Sequence, residues 1–328
     1  MPILKANNSS IKKAAEIIKN GGIVAFPTET VYGLGADAFN PKAIAKIFQA
    51  KGRPSDNPLI VHLRTSQDLK LVARNIPQIA HQLIEKFWPG PLTLILKKKK
   101  IIPNIVSGGL NTVAVRMPDN KIALELIKKV GSPLAAPSAN ISGRPSGTDA
   151  KTVFEDFGNT IDLILNDGKT KIGVESTILD LTITPPAILR QGGVTIEEIR
   201  KNIPNVLIAD SSLPTKGGTP KAPGMKYRHY APKAPLVLTN NISEYLKTCS
   251  EKRVGILATQ ENIKHFTNIK KNIISMGSRK NLKQCAQNLF ACLRKFDKLD
   301  VKLIICEAFP KSGLGAAIME RLEKAEKK

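Results

Sequence analysis

The chain has 328 residues and 42% hydrophobic content, more than one core organises efficiently, because single cores stop growing at roughly 250–300 residues. Its formal charge is +23, spread as +14 over residues 1–234 and +9 over 235–328, with 38 lysines to 12 arginines. A cationic surface of this kind attracts nucleotides or RNA and argues against one base-reading patch, while no segment approaches the ~20 apolar residues of a membrane span.

In chain order, Ser9 and Ser10 are expected to cap an amphipathic helix through Lys19, which Asn20-Gly21-Gly22 stops before a buried strand at Ile23-Val24-Ala25-Phe26. Directly after it comes Pro27-Thr28-Glu29-Thr30-Val31-Tyr32-Gly33-Leu34-Gly35, a hydroxyl- and glycine-bearing turn read as leading from strand toward helix, a common phosphate-holding arrangement. Asn40-Pro41 supplies an N-cap and first-turn proline for a helix through Ala50, so Lys51 and Arg53 emerge at its C-terminal end. Strands are predicted at 58–63, 92–96, 112–116, 134–136, 161–165, 176–181 and 187–190. Helices are predicted near 67–73, 78–87 and 119–130, with a capping box at Thr195-x-x-Glu198 opening another.

Residues 209–235, with paired serines, paired glycines and five prolines, read as a linker. Beyond it, strands at 236–238, 254–258, 273–276 and 303–306 alternate with helices near 242–249, 260–266, 281–296 and 315–327. The fold class is therefore α/β: a twisted open mixed sheet with flanking helices over 1–208, the linker, and a smaller Rossmann-like α/β/α domain over 236–328. The cysteines, Cys249, Cys285, Cys292 and Cys306, show neither zinc-ligand spacing nor a disulfide framework, and suit a reducing, cytoplasmic setting.

The candidate chemistry lies at strand ends. Thr28 and Thr30, on a segment read as extended, would share one face while Glu29 points away. Lys51 offers a point charge and Arg53 a planar fork, a combination suited to polyphosphate. Thr112 and Arg116 share a strand face, and an inward-facing arginine needs an anion such as a ligand carboxylate. His62 could face the same cleft as Thr30. Pro137-Ser138-Ala139-Asn140, Ser142-Gly143-Arg144-Pro145-Ser146 and Glu175-Ser176-Thr177 are further polar loops after strands, where open α/β sheets bind ligands. Gly168-Lys169-Thr170 imitates the end of a P-loop, but Leu163 occupies the place of its first glycine.

Together, the Pro27 to Leu34 run, Lys51-Gly52-Arg53-Pro54, Arg116-Met117-Pro118, Ala136 to Asn140 and Glu175-Ser176-Thr177-Ile178 resemble the YrdC/Sua5 family, the threonylcarbamoyl-AMP synthases. Ala222-Pro223-Gly224-Met225-Lys226-Tyr227-Arg228-His229-Tyr230-Ala231-Pro232 resembles the linker of the longer, Sua5-type members. The resemblance implies a YrdC-like N-terminal fold. It also implies that L-threonine, bicarbonate and ATP give L-threonylcarbamoyladenylate, pyrophosphate and water, the first step toward N6-threonylcarbamoyladenosine at tRNA position 37.

Carried over residue by residue, the resemblance assigns Thr30, His62, Arg116, Ala136 and Ser176 to threonine, and Arg53, Asn57, Thr112, Ser138, Ser146 and Arg190 to ATP. Tyr230 becomes a linker contact folding over the nucleotide, and Lys51, Arg53, Ser138 and Asn140 the groups facing the reacting phosphates and carbamate. Mg2+ would come with ATP, held by phosphates and water, with no protein ligand named. Implied partners are the threonylcarbamoyl-transferase machinery that modifies tRNA and, more weakly, RNA itself. The competing expectation, motivated by charge, is an RNA-binding or ribosome-maturation protein with a vestigial nucleotide cleft.

Overall fold

Asn40 shows how local sequence starts an element here: its side chain accepts from the backbone N–H groups of Lys42 and Ala43, Pro41 begins the helix Pro41–Lys51, and Gly52 ends it in the left-handed conformation. The same logic opens Ile196–Arg200, where Thr195 and Glu198 form the expected capping box. The first helix, Asn8–Lys19, differs from expectation. Its cap is Asn7, and Ser10 is the third helical residue that completes the capping box.

The computed structural model describes residues 2–209, 220–223, 229–266 and 272–326. Twelve strands form the larger sheet: β1 (Ile3–Lys5), β2 (Val24–Phe26), β3 (Gly33–Asp37), β4 (Ile60–His62), β5 (Ala73–Arg74), β6 (Leu92–Lys98), β7 (Thr112–Arg116), β8 (Leu134–Ala136), β9 (Leu163–Asn166), β10 (Thr177–Asp180), β11 (Ala187–Arg190) and β12 (Leu207–Ile208). Their order is β1-β9-β2-β3-β8-β4-β7-β6-β10-β11-β12, with β5 paired to β6. The sheet is mixed: β4 runs parallel to β7 and β6 to β10, whereas β2–β3, β3–β8 and β6–β7 are antiparallel.

The turn after β2 therefore leads into another strand, not toward a helix. Gly35 serves packing, since a Cβ there would lie 2.5 Å from the Phe26 ring. One sheet face is covered by Asn8–Lys19 and Lys121–Val130, whose Ile11, Ile18, Leu126 and Ile127 pack with Phe26 and Leu163. The opposite face carries the main core, including Ile44, Ile47, Leu83, Leu94 and Val115. A helix that periodicity did not announce, Ala150–Phe157, is capped by Asp149 and buries Val153 and Phe157.

The second sheet contains β13 (Leu236–Thr239), β14 (Val254–Ala258), β15 (Asn272–Ser275) and β16 (Leu303–Glu307), all parallel, in the order β13-β16-β14-β15. This is the anticipated Rossmann-like tail. It packs against the larger sheet through one shared core in which Val31, Val174 and Tyr230 join Phe290, Met319 and Leu322. Much of the expected linker, residues 210–219 and 224–228, lies outside the described residues.

Candidate active site

Parallel pairing of β4 with β7 places His62 beside Arg116 in register, and an isolated bridge from Gly33 to Ser138 draws the first motif against the loop after β8. Between them opens a cleft whose empty volume, including its mouth, is about 670 Å3. Thr30, Lys51, Arg53, His62, Arg116, Ala136, Ser138, Asn140, Ser176, Arg190 and Tyr230 all line it. Three expected contacts do not. Asn57 and Ser146 are buried behind the wall, and Thr112 begins β7 opposite Lys97, roughly 13 Å along the strand from Arg116.

Those outer residues still act on the lining. Arg53 Nε donates to the Asn57 carbonyl at 3.3 Å and its Nη2 to that of Pro58 at 3.0 Å, which fixes the fork. Ser146 Oγ donates at 2.6 Å to Glu175, a cleft residue.

At the cationic end, the Lys51 side chain is 1% exposed. Its Nζ donates to the carbonyl of Ser138 at 2.6 Å and to that of Asn140, so two motifs far apart in sequence meet on one ammonium. Burial, with the nearby Arg53 charge, pushes its pKa well below the usual lysine range; an arriving polyphosphate opposes that push. Ser138 Oγ donates to Asn140 Oδ1 at 2.6 Å, and the Asn140 amide donates to the carbonyls of Ile141 and Arg144, so the Ser-x-Asn loop is held rigid. Arg190 donates twice to the Ser176 carbonyl, at 3.1 and 2.9 Å.

At the other end, Thr28 and Thr30 do not alternate along a strand: they lie on a bend with their hydroxyls 2.9 Å apart, and Thr28 Oγ1 donates to the Val31 carbonyl at 2.6 Å. Arg116 Nη1 donates to Thr30 Oγ1 at 3.0 Å. Glu29 does not point away. Its carboxylate pairs with Arg116 at 2.5 Å, so the arginine already has an anion within the protein. His62 is pushed down to about 3, by burial first and then by the Arg116 charge, and is neutral at physiological pH.

Sequence reasoning gave no role to three participants, although two of them, Glu175 and His229, lie within quoted motifs. Glu175 lines the cleft and pairs at 2.7 Å with Arg321, which lies on the helix Gly313–Glu326 of the second sheet. Burial alone would raise the Glu175 pKa, but Arg321 and Arg190 hold it below the usual carboxylate range. Arg321 also lies over the Tyr230 ring at 5.4 Å, while Phe290 stacks on that ring at 5.3 Å. His229 lines the cleft next to Tyr230 and is likewise pushed down to about 3, chiefly by burial. Its position beside Tyr230 in a basic-aromatic run was the available signal; nothing local announces the Glu175–Arg321 pair. Tyr230, at φ 64°, is built into the wall.

Fold and cleft thus define an α/β protein with a strand-end site, cationic at one end and charge-paired at the other, of the kind that takes a polyphosphate and a small polar ligand together. Comparison with known proteins agrees and narrows the class. The Sua5/YciO/YrdC profile, described as telomere recombination, matches residues 16–192. A second, described as the threonylcarbamoyl-AMP synthase C-terminal domain, matches 194–326.

A threonylcarbamoyl-AMP synthase of Pyrococcus abyssi is 46% identical over 325 residues, covering 96% of this chain and 93% of the relative. That of Bacillus subtilis is 45% identical over 329 residues, covering 98% and 94%. The crystal structure of P. abyssi Sua5 with L-threonine superposes with a TM-score of 0.90 at 43% identity, covering 99% of this chain and 96% of that one. The chain belongs to the Sua5/YrdC family of threonylcarbamoyl-AMP synthases. The expectation of an RNA-binding protein with a vestigial cleft gains no support, because Lys51, Arg53, Ser138 and Asn140 converge in an intact one.

Proposed function

We propose that this chain makes L-threonylcarbamoyladenylate from L-threonine, bicarbonate and ATP, releasing pyrophosphate and water. The observation that supports this most is the Lys51 ammonium, tied to the Ser138 and Asn140 carbonyls and flanked by Arg53 in a cleft whose far end holds Thr30, His62 and Arg116. Threonine's amine captures the carbon of bicarbonate as a carbamate, and a carbamate oxygen displaces pyrophosphate from the α-phosphorus. The chemistry needs no enzyme nucleophile. It needs two anions brought together and their charge offset, and alignment alone supplies roughly 7–11 kcal/mol.

In this reading Arg116 and Thr30 receive the threonine carboxylate, and Lys51, Arg53 and Arg190 face the phosphates. Tyr230 and His229 shield the labile product from water. Magnesium would accompany ATP, yet the described residues offer no cage for it. Among the described residues Glu175 is the one carboxylate lining the cleft, and Ser146 and Arg321 already engage it. The adenylate then passes to a transferase that modifies tRNA, in the cytoplasm.

The reading is tested by pyrophosphate release from purified protein. Release should require threonine, bicarbonate and ATP together, exceed release with serine, and fall by about 10²–10³-fold in Lys51→Ala. Threonine-independent release would sink the reading; full activity of Lys51→Ala would remove the role given to that lysine.

A further inference from the structure

Glu29 is the carboxylate of the first motif that the reaction above leaves without a task. It is 3% exposed, and neither of its oxygens accepts a hydrogen bond; its contact is ionic, 2.5 Å from Arg116 Nη2. Arg116 is equally buried, and its Nε donates to the Gly90 carbonyl at 3.2 Å. Its Nη1 donates to Thr30 Oγ1, which meets Thr28 Oγ1, which in turn donates to the Val31 carbonyl. One continuous chain of groups therefore fixes the guanidinium beside the cleft. His62, the register neighbour of Arg116, adds no charge because burial and that arginine push its pKa to about 3. This end of the cleft is formally neutral before a ligand arrives.

That neutrality constrains what can enter. A simple carboxylate would bring an uncompensated negative charge beside two buried groups, where Glu29 opposes it as Arg116 attracts it. An amino acid zwitterion brings no net charge: its carboxylate answers Arg116, and its ammonium offsets the Glu29 charge through space, without contact. We propose that Glu29 is a specificity residue that makes the Arg116 end of the cleft select zwitterions, admitting an α-amino acid and rejecting the same hydroxy acid without its amine. The inference rests on the reading that Arg116 receives the threonine carboxylate. Glu29 acts through Arg116 and through its field, and it does not line the cleft itself.

The test is calorimetric titration of L-threonine and of 3-hydroxybutanoate, which is threonine without its amino group, into the wild-type chain, Glu29→Gln and Arg116→Gln. The wild type should prefer threonine by at least about tenfold, and Glu29→Gln, verified as folded by its melting curve, should lose at least about tenfold of that preference. The glutamine variant should do so with the hydroxy acid gaining affinity while threonine loses it. A purely structural Glu29 would weaken both ligands alike, and that result, or an unchanged preference, overturns the proposal.

If Glu29→Gln does not fold, the wild type still decides. Its threonine affinity should fall as pH rises through the pKa of threonine's own ammonium while that for 3-hydroxybutanoate holds steady; parallel profiles overturn the proposal. Arg116→Gln separates the two layers of argument. Undiminished threonine binding there removes the seat itself, whereas lost binding with an unchanged Glu29→Gln preference removes the role of Glu29 alone.

Discussion

At the carboxyl ends of β4 and β7, His62 and Arg116 look into an open cleft; at the ends of β14 and β16, the corresponding crevice is filled by the protein's own side chains. There Glu307, 2% exposed, accepts from the Thr259 N–H at 2.7 Å and the Thr259 hydroxyl at 2.9 Å, and Arg279 closes on its other oxygen. Strand-end position offers a ligand site in both sheets. What separates them is whether the charged groups at that position satisfy one another or remain turned toward a cavity. The second sheet contributes through its flank: Arg321 and Phe290 back Glu175 and Tyr230, which line the open cleft of the first.

The contrast breaks most readily at Arg321. Arg321→Ala leaves Glu175 buried without its nearest cation, with an expected loss of about 3–5 kcal/mol in urea unfolding and a large fall in pyrophosphate release. Arg321→Lys should recover part of both. Wild-type stability and activity in Arg321→Ala would mean that the two sheets are merely adjacent.

Next in size is Glu307→Gln, which weakens a self-satisfied charge cluster by about 1.5–3 kcal/mol and should leave turnover unchanged. Lost turnover in a folded Glu307→Gln protein would show that the filled crevice communicates with the open one.

The effect that is smallest per histidine and per pH unit is that of pH. His62 and His229 are both held neutral, with folded pKa values near 3 against an ordinary value near 6.5. Between those values the unfolded chain binds protons that the folded chain refuses. Stability is therefore complete above about pH 6.5 and declines as pH falls toward 3, by about 1 kcal/mol per histidine per pH unit. Equal unfolding free energies at pH 7 and pH 5 would contradict this, and His229→Asn should flatten the slope.

Much of the fold was legible because its signals are local. Asn40-Pro41 and Thr195-x-x-Glu198 announce helix starts by hydrogen bonds that span three residues, and apolar runs such as Leu92–Leu96 announce buried strands. The site's cations and Ser-x-Asn loop were legible as motifs at strand ends. Their pairings were not. Whether Glu29 faces solvent or Arg116 depends on how a bend, not a strand, carries the chain from β2 to β3, and alternation along an extended segment gives the wrong answer. The glycines at 33 and 35 read as phosphate-friendly; Gly33 does line the cleft, but the Phe26 ring accounts for Gly35. Ala150–Phe157 was hidden by the polar loop before it, and Glu175–Arg321 spans 146 positions, beyond any local pattern.

The Glu175–Arg321 pair also sets a clock on the ribosome. Every other cleft residue named here precedes Arg321, and at roughly 5–20 residues per second the 146-residue separation corresponds to roughly 7–30 s of elongation after Glu175 is made. Through that interval the first sheet has its motifs but lacks the guanidinium that balances Glu175. The cleft begins with the earliest motifs of the chain, and the wall behind it is backed by one of its last helices.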